Sequence, residues 1–239
     1  MEYVALLGLV LIQAPQAPAS FSAEDLFAAI AKGDQAGVEA MLHERPALAD
    51  SRNRDGATAI LWTFYNRHPE IAAAFRPYRQ MDIFEASAAG DTARVHALLE
   101  TDRNLARADS ADGFSALGLA VFFNHPDTAK MLIAAGSDVD RASNNSIKVA
   151  PLHSAVASGN PELVRLLLAH GARVDPVEFL GATPLHAAAA EGKDEIAAIL
   201  LAAGADPKLR TKAGKTPAEL AEEGHHEALA RKLQAAASP

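Results

Sequence analysis

Cysteine is absent from the 239 residues, which excludes a disulfide framework, thiolate zinc sites and cysteine nucleophiles together. Aromatic residues amount to 5% of the chain, with one tryptophan. A sandwich or barrel core would draw on more aromatic, Val and Ile side chains, so both architectures are disfavoured. Basic residues are in deficit, 22 Lys and Arg against 30 Asp and Glu, for a formal charge of −8. No net basic field exists to release counterions from phosphates, and no nucleic-acid partner is expected. Long apolar runs are also missing. Residues 4–12 (VALLGLVLI) form an uninterrupted run of nine, half of what a membrane-spanning helix requires, so no integral span is expected. What the chain does have is small apolar side chains. Its 54 alanines and 27 leucines are a third of the sequence, which points to short helices packed closely against one another.

The run at 4–12 matches the apolar region of a signal peptide, and Ala17, Pro18 and Ala19 follow with small side chains suited to cleavage after Ala19. The leading segment carries Glu2 and no Lys or Arg, against the usual pattern. Residues 1–20 are therefore read as a leader or an apolar extension. Cleavage would place the protein in the periplasm or outside the cell, and retention in the cytoplasm.

Pro151, Pro184 and Pro217 are spaced by 33 and 33. Around each proline one plan recurs. Thr183 or Thr216 stands where it can cap a helix, and the proline follows at the first turn, where its missing N–H costs nothing. A short Ala-rich helix ends at Gly159 or Gly192. A second helix carries its apolar stripe on Leu163, Leu166 and Leu167, or on Ile196, Ile199 and Leu200, before Gly171 or Gly204.

This pattern resembles the ankyrin repeat, with its period of 33 and its T-P-L-H-x-A signature. Thr183, Pro184, Leu185, His186 and Ala188 match the signature in full; Pro151, Leu152, His153 and Ala155 match it with Ala150 in place of threonine. Gly204-Ala205-Asp206 is the family's usual helix stop. The resemblance implies an all-α solenoid of helix-turn-helix repeats joined by loops or β-hairpins. It also implies a structural hydrogen bond from His153 and His186 to a neighbouring loop.

The upstream half is less regular. Residues 25–75 align without a gap on residues 82–132, with 18 identities in 51 positions, so a pair of repeats has been duplicated. The stops of the first helices then fall at Gly33, Arg67, Gly90, Asn124, Gly159, Gly192 and His225. Six intervals separate them; five are 33 to 35 residues and the second is 23, so the second repeat has lost about ten residues around FRPYRQ. About seven repeats are expected in one domain over 21–239, near 21–54, 55–80, 81–111, 112–145, 146–178, 179–211 and 212–235. Ser22 is placed to cap the first helix, and Glu219, Glu222 and Glu223 give the last repeat a polar, cap-like face.

Catalytic motifs are missing. No G-x-S-x-G elbow, G-x-G-x-x-G, phosphate-binding loop or H-E-x-x-H occurs, and no catalytic, cofactor or metal residues are assigned. His225 and His226 are adjacent, about 100° apart on a helix, unlike ligands at i and i+4.

The function expected instead is non-enzymatic binding of a protein partner by a monomeric scaffold of bacterial style. In the ankyrin arrangement the ends of the first helices line a concave face with the loop tips beyond them. That places Tyr65, Phe122 and Phe123 on the face and Phe114, Phe179 and Leu180 at or near loop tips, with Tyr65, Phe179 and Leu180 exposed. Trp62 and Phe64 are expected to pack between repeats. Residues 45–80 carry a local charge of +3, with Arg52 and Arg54 at one tip. Arg141 and Lys148 bracket a longer loop that holds Asn145. These charges either steer an acidic partner or keep a solvated rim soluble. The binding candidates are thus Arg52, Arg54, Tyr65, Phe114, Phe122, Phe123, Asn145, Lys148, Phe179 and Leu180. The alternative function, implied by exported bacterial relatives, is a periplasmic stress-protection factor that supports an envelope enzyme.

Overall fold

The computed structural model describes residues 21–238. The expected leader, residues 1–20, lies outside the described residues. Thirteen α-helices and three short 3-10 helices form among the described residues. Fourteen of these elements form seven consecutive pairs: α1 (Ala23–Ala31) with α2 (Gln35–Glu44); α3 (Ala59–Tyr65) with a 3-10 helix, Pro69–Phe75; α4 (Ile83–Ala89) with α5 (Thr92–Thr101); α6 (Ala116–Phe122) with α7 (Pro126–Ala134); α8 (Pro151–Ser158) with α9 (Pro161–Ala169); α10 (Pro184–Ala190) with α11 (Asp194–Ala202); and α12 (Pro217–Glu223) with α13 (Glu227–Ala237); the other two 3-10 helices, Pro46–Asp50 and Arg103–Arg107, follow α2 and α5. The first helices pack in sequence along one layer, α1 on α3, α3 on α4 and onward to α12. In the second layer α5 packs on α7, α7 on α9 and α9 on α11.

Each first helix ends in a residue of left-handed backbone. All seven expected stops have φ between 60° and 72°, including the non-glycines Arg67, Asn124 and His225. A side chain in that conformation costs about 1 kcal/mol, so glycine is favoured but not obligatory. At Gly90 a second constraint applies. A Cβ there would lie 2.4 Å from Nδ1 of His125, whose ring packs on the glycine and places Nε2 2.9 Å from the Ala88 carbonyl.

The caps behave as their residue types require. Ser22 and Asp25 form a reciprocal capping box at α1, and Thr216 and Glu219 form one at α12. His186 ties three segments together. Its Nδ1 lies 2.8 Å from the Thr183 hydroxyl and 3.1 Å from the Thr183 backbone N, and its Nε2 donates to the carbonyls of Leu209 and Lys215 at 3.1 Å. His153 repeats only half of this. Its Nε2 donates to the Ala182 carbonyl at 3.1 Å, but Nδ1 is buried without a partner, because Ala150 supplies no hydroxyl. Burial pushes the imidazoles of His125, His153 and His186 below their ordinary range, so they bind as neutral rings at pH 7.

The connections are loops. No strand forms among the described residues, and the expected hairpin form is reduced to isolated antiparallel bridges at Arg52–Thr58 and Asp109–Ser115. The tips use their hydrogen bonds otherwise. Asn53 Oδ1 accepts from the backbone of Asp55 and Ala57, and the carbonyls of Gly113, Ile147 and Leu180 accept from Asn144, Phe179 and Lys212 of the next tip. Gly113 permits the closest of these approaches. It has φ 88°, and a Cβ would sit 2.8 Å from the Asn144 backbone.

The short second repeat divides the core. One apolar cluster runs from Leu26 to Phe75 and another from Ile83 to Leu233, with Leu61, Ala88 and Leu119 forming a small third cluster between first helices. The second element of the short repeat is a seven-residue 3-10 helix, and residues 76–81 then lead directly to Asp82, the N-cap of α4. The long loop found in other repeats has no counterpart here. A polar clamp holds the junction. Glu85, fully buried, receives both Nη1 and Nη2 of Arg79 at 2.7 and 2.9 Å, the Thr58 hydroxyl at 2.6 Å and the Asp82 backbone N–H at 2.9 Å. Arg79 also reaches Asp50 at 3.2 Å. Burial, then the neighbouring Glu85 carboxylate, raises the Asp82 carboxyl above its ordinary range.

Arg79→Met would strand the buried Glu85 charge and should lower unfolding stability by about 3–5 kcal/mol in urea titrations, whereas Arg79→Met with Glu85→Leu should recover most of that loss. Ala150→Thr should raise stability by about 1 kcal/mol in the same assay, by capping α8 and giving His153 Nδ1 its partner.

Candidate functional site

Scarce aromatics are concentrated in one place. Of the nine Phe, three Tyr and one Trp, seven form a continuous ring network: Phe27, Trp62, Phe64, Tyr65, Phe114, Phe122 and Phe123. Centroid separations run from 5.0 Å for Phe122–Phe123 to 6.4 Å for Trp62–Tyr65, the range of favourable edge and tilted contacts. Tyr65 on α3 meets Phe123 at the end of α6, although α4 lies between them in the stack. Beside this contact α4 presents the small side chains of Ala88 and Ala89.

Tyr65 corrects one expectation. It is half-buried rather than exposed, and its hydroxyl donates to Asp112 Oδ2 at 2.8 Å. Burial, then the Asp112 charge, raises the phenol above its ordinary range. Asp112 is itself buried and accepts a second hydrogen bond from the Ser110 hydroxyl. Trp62 and Phe64 are half-buried against the N-terminal core cluster, as expected of inter-repeat packing. The Trp62 indole N–H is buried without an acceptor.

The other candidates separate into surface and scaffold. Phe122, Phe179 and Leu180 are 46%, 53% and 58% exposed, and Phe123 and Phe114 are half-buried. Lys148 is exposed and adopts φ 54°. Arg52 and Arg54 are exposed, but Arg52 donates to the Gly56 carbonyl at 2.9 Å and Arg54 faces Glu24 at 3.9 Å. Arg45 donates to the Phe21 carbonyl, and Arg79 serves the junction clamp. Of these arginines only Arg79 is paired with a buried carboxylate. Asn145 is scaffold: its Oδ1 accepts from the Ser143 hydroxyl and the Ile147 N–H, and its Nδ2 donates to the Asp112 carbonyl.

Two exposed residues escaped the reading of the sequence, Ile147 and Val177. Both lie in loops, where helical periodicity carries no signal. With Phe122, Phe179 and Leu180 they are the exposed large apolar side chains among the described residues, and all five sit at first-helix ends or in loops. The Lys212 ammonium lies 4.9 Å from the centre of the Phe179 ring.

The aromatic ridge separates two clefts. One, about 560 Å³, is bounded by Trp62, Tyr65, Phe114, Phe122 and the tips carrying Asn53, Asp55, Asp112, Asn145 and Ile147. The other, about 630 Å³, lies between Phe64, Tyr65, Phe122, Phe123, Arg67 and His125. A smaller hollow of about 310 Å³, edged by Arg76, Arg79 and Arg94, marks the shortened repeat. Among the described residues no group of three or more His, Asp or Glu side chains is arranged to hold a metal, and no helix is long and apolar enough to cross a membrane.

Known proteins share this architecture. Residues 93 long in this chain, 39% of it, are 37% identical to part of a transient receptor potential cation channel subfamily A member 1 homolog of Caenorhabditis elegans. Over 62 residues the chain is likewise 37% identical to the ankyrin repeat and KH domain-containing protein mask-1 of the same organism. These matches span 8% and 2% of the two relatives' lengths. A family model of ankyrin repeats in three copies matches residues 83–178 and 140–211, together more than half of the chain. With its helix pairs, left-handed stops and histidine-tied loops, the chain belongs to the ankyrin-repeat family, whose repeats are protein-interaction modules.

Proposed function

We propose that the protein is a non-enzymatic scaffold that binds a protein partner through its first-helix ends and loop tips, chiefly over the second to sixth helix pairs. One observation carries this reading: among the described residues every exposed large apolar side chain lies at a first-helix end or in a loop, and two of the five, Phe122 and Ile147, line the clefts of the aromatic ridge. Exposed aromatic and aliphatic anchors next to clefts are the usual energetic centres of protein interfaces. The outer layer offers a contrast. Its exposed positions include ion pairs such as Arg165–Glu195 at 2.8 Å and Lys130–Glu162 at 2.9 Å, which suit a solvated surface.

A second reading rests on residues 4–12 and the Ala17-Pro18-Ala19 site. It makes the protein an exported factor that supports an envelope enzyme under stress.

Phe122→Ala combined with Phe179→Ala should abolish capture of cellular proteins by the immobilised chain, whereas Arg165→Ala on the outer layer should leave capture intact. The opposite pattern would place the binding surface on the second helices. Export predicts that N-terminal sequencing of the protein from fractionated cells finds a mature chain starting at Ser20; an uncleaved chain in the cytosol sinks that reading.

A further inference from the structure

The 560 Å³ cleft combines two features that select a ligand. Four of its walls are the rings of Trp62, Tyr65, Phe114 and Phe122, and its charged lining consists of two carboxylates, Asp55 and Asp112, with no Lys or Arg. Resting on the interaction reading above, we propose that this cleft receives a basic side chain, a guanidinium or an ammonium, carried by a segment of the partner protein.

Three physical arguments favour a cation over the other side chains a partner could insert. An aromatic ring attracts positive charge at its face, and the attraction strengthens when water is excluded. Donation of the Tyr65 hydroxyl to Asp112 at 2.8 Å pushes electron density into that ring. An uncharged anchor would cover the exposed Asp55 without replacing the solvation it loses, while an acidic anchor would meet Asp55 and Asp112 as like charges. A cation answers both problems. The long aliphatic stem of Arg or Lys also matches an apolar wall that ends in carboxylates.

The surrounding charges agree. Arg52 and Arg54 stand on the same loop tip as Asp55, but neither lines the cleft; Arg52 is held by the Gly56 carbonyl and Arg54 faces Glu24. Lys148 follows Ile147 at the cleft edge and likewise does not line it. The chain's overall charge of −8 adds a long-range field that draws a basic segment toward the protein. This reverses the sign of partner that the local excess of arginine in residues 45–80 suggested, because none of those arginines lines the cleft.

A phage-displayed library of random 12-residue peptides, selected on the folded full-length chain, tests the assignment. Selected peptides should be enriched in Arg or Lys, and Gln in place of the critical basic residue should weaken binding about tenfold, the size of a desolvated cation–ring contact. Asp55→Asn, in an exposed loop, should weaken the parent peptide by a similar factor and leave the Gln peptide unchanged. Trp62 is the one tryptophan of the sequence, so saturable change in its emission should follow binding. Peptides that lose binding on Phe122→Ala yet show no basic preference, or no response to Asp55→Asn, overturn the cation assignment and leave the interaction reading standing. Recovery of no binders, or of binders indifferent to Phe122→Ala, overturns both.

Discussion

A helix pair of this size cannot bury its own apolar stripe, and everything else in the structure follows from that deficit. Leu163, Val164 and Leu167 of α9 become fully buried only because α7 and α11 stand on either side. Close approach demands small side chains on the first helices, which explains why alanine dominates the composition. Close approach also requires that each helix stop within two turns and reverse. Left-handed stops do this at all seven positions, and three of them accept a side chain where the stack leaves room.

Where the period breaks, the source of cohesion changes. The second repeat lacks a full second helix and the following loop, so the two main apolar clusters do not merge across it. Glu85 and Arg79 occupy the gap, with Thr58 and the Asp82 backbone satisfying the remaining acceptor capacity. Such a clamp is specific in geometry and intolerant of losing one partner, because the survivor would remain charged and buried. The first helices of the second and fourth repeats also meet, Tyr65 with Phe114 and Phe123, past Ala88 of α4.

The loop tips serve stability and binding with different atoms. Backbone groups bond from tip to tip, Asn144 to Gly113, Phe179 to Ile147 and Lys212 to Leu180, while the side chains of Ile147, Phe179 and Leu180 point to solvent. A rigid, internally bonded edge that presents apolar groups needs little ordering on association, which lowers the entropic cost of binding.

Residue spacing was enough to establish the repeat, its helix stops and the short second unit, and the ankyrin resemblance implied the face on which aromatics gather. Each of these depends on local rules: helical periodicity, proline at a first turn, and a left-handed residue at a stop. The histidine bridges were legible by resemblance. Their incompleteness at Ala150 was visible as a missing hydroxyl, though not its consequence for His153 Nδ1. Three matters were settled only by the tertiary structure: that Tyr65 is half-buried on Asp112, that no arginine of residues 45–80 lines the cleft between Tyr65 and Phe122, and that Ile147 and Val177 are exposed. Tyr65 and Asp112 are 47 residues apart, and Arg79 finds Glu85 only because the intervening loop is short. Contacts of this kind depend on how side chains of different repeats register against one another, and no periodicity within one repeat encodes that register.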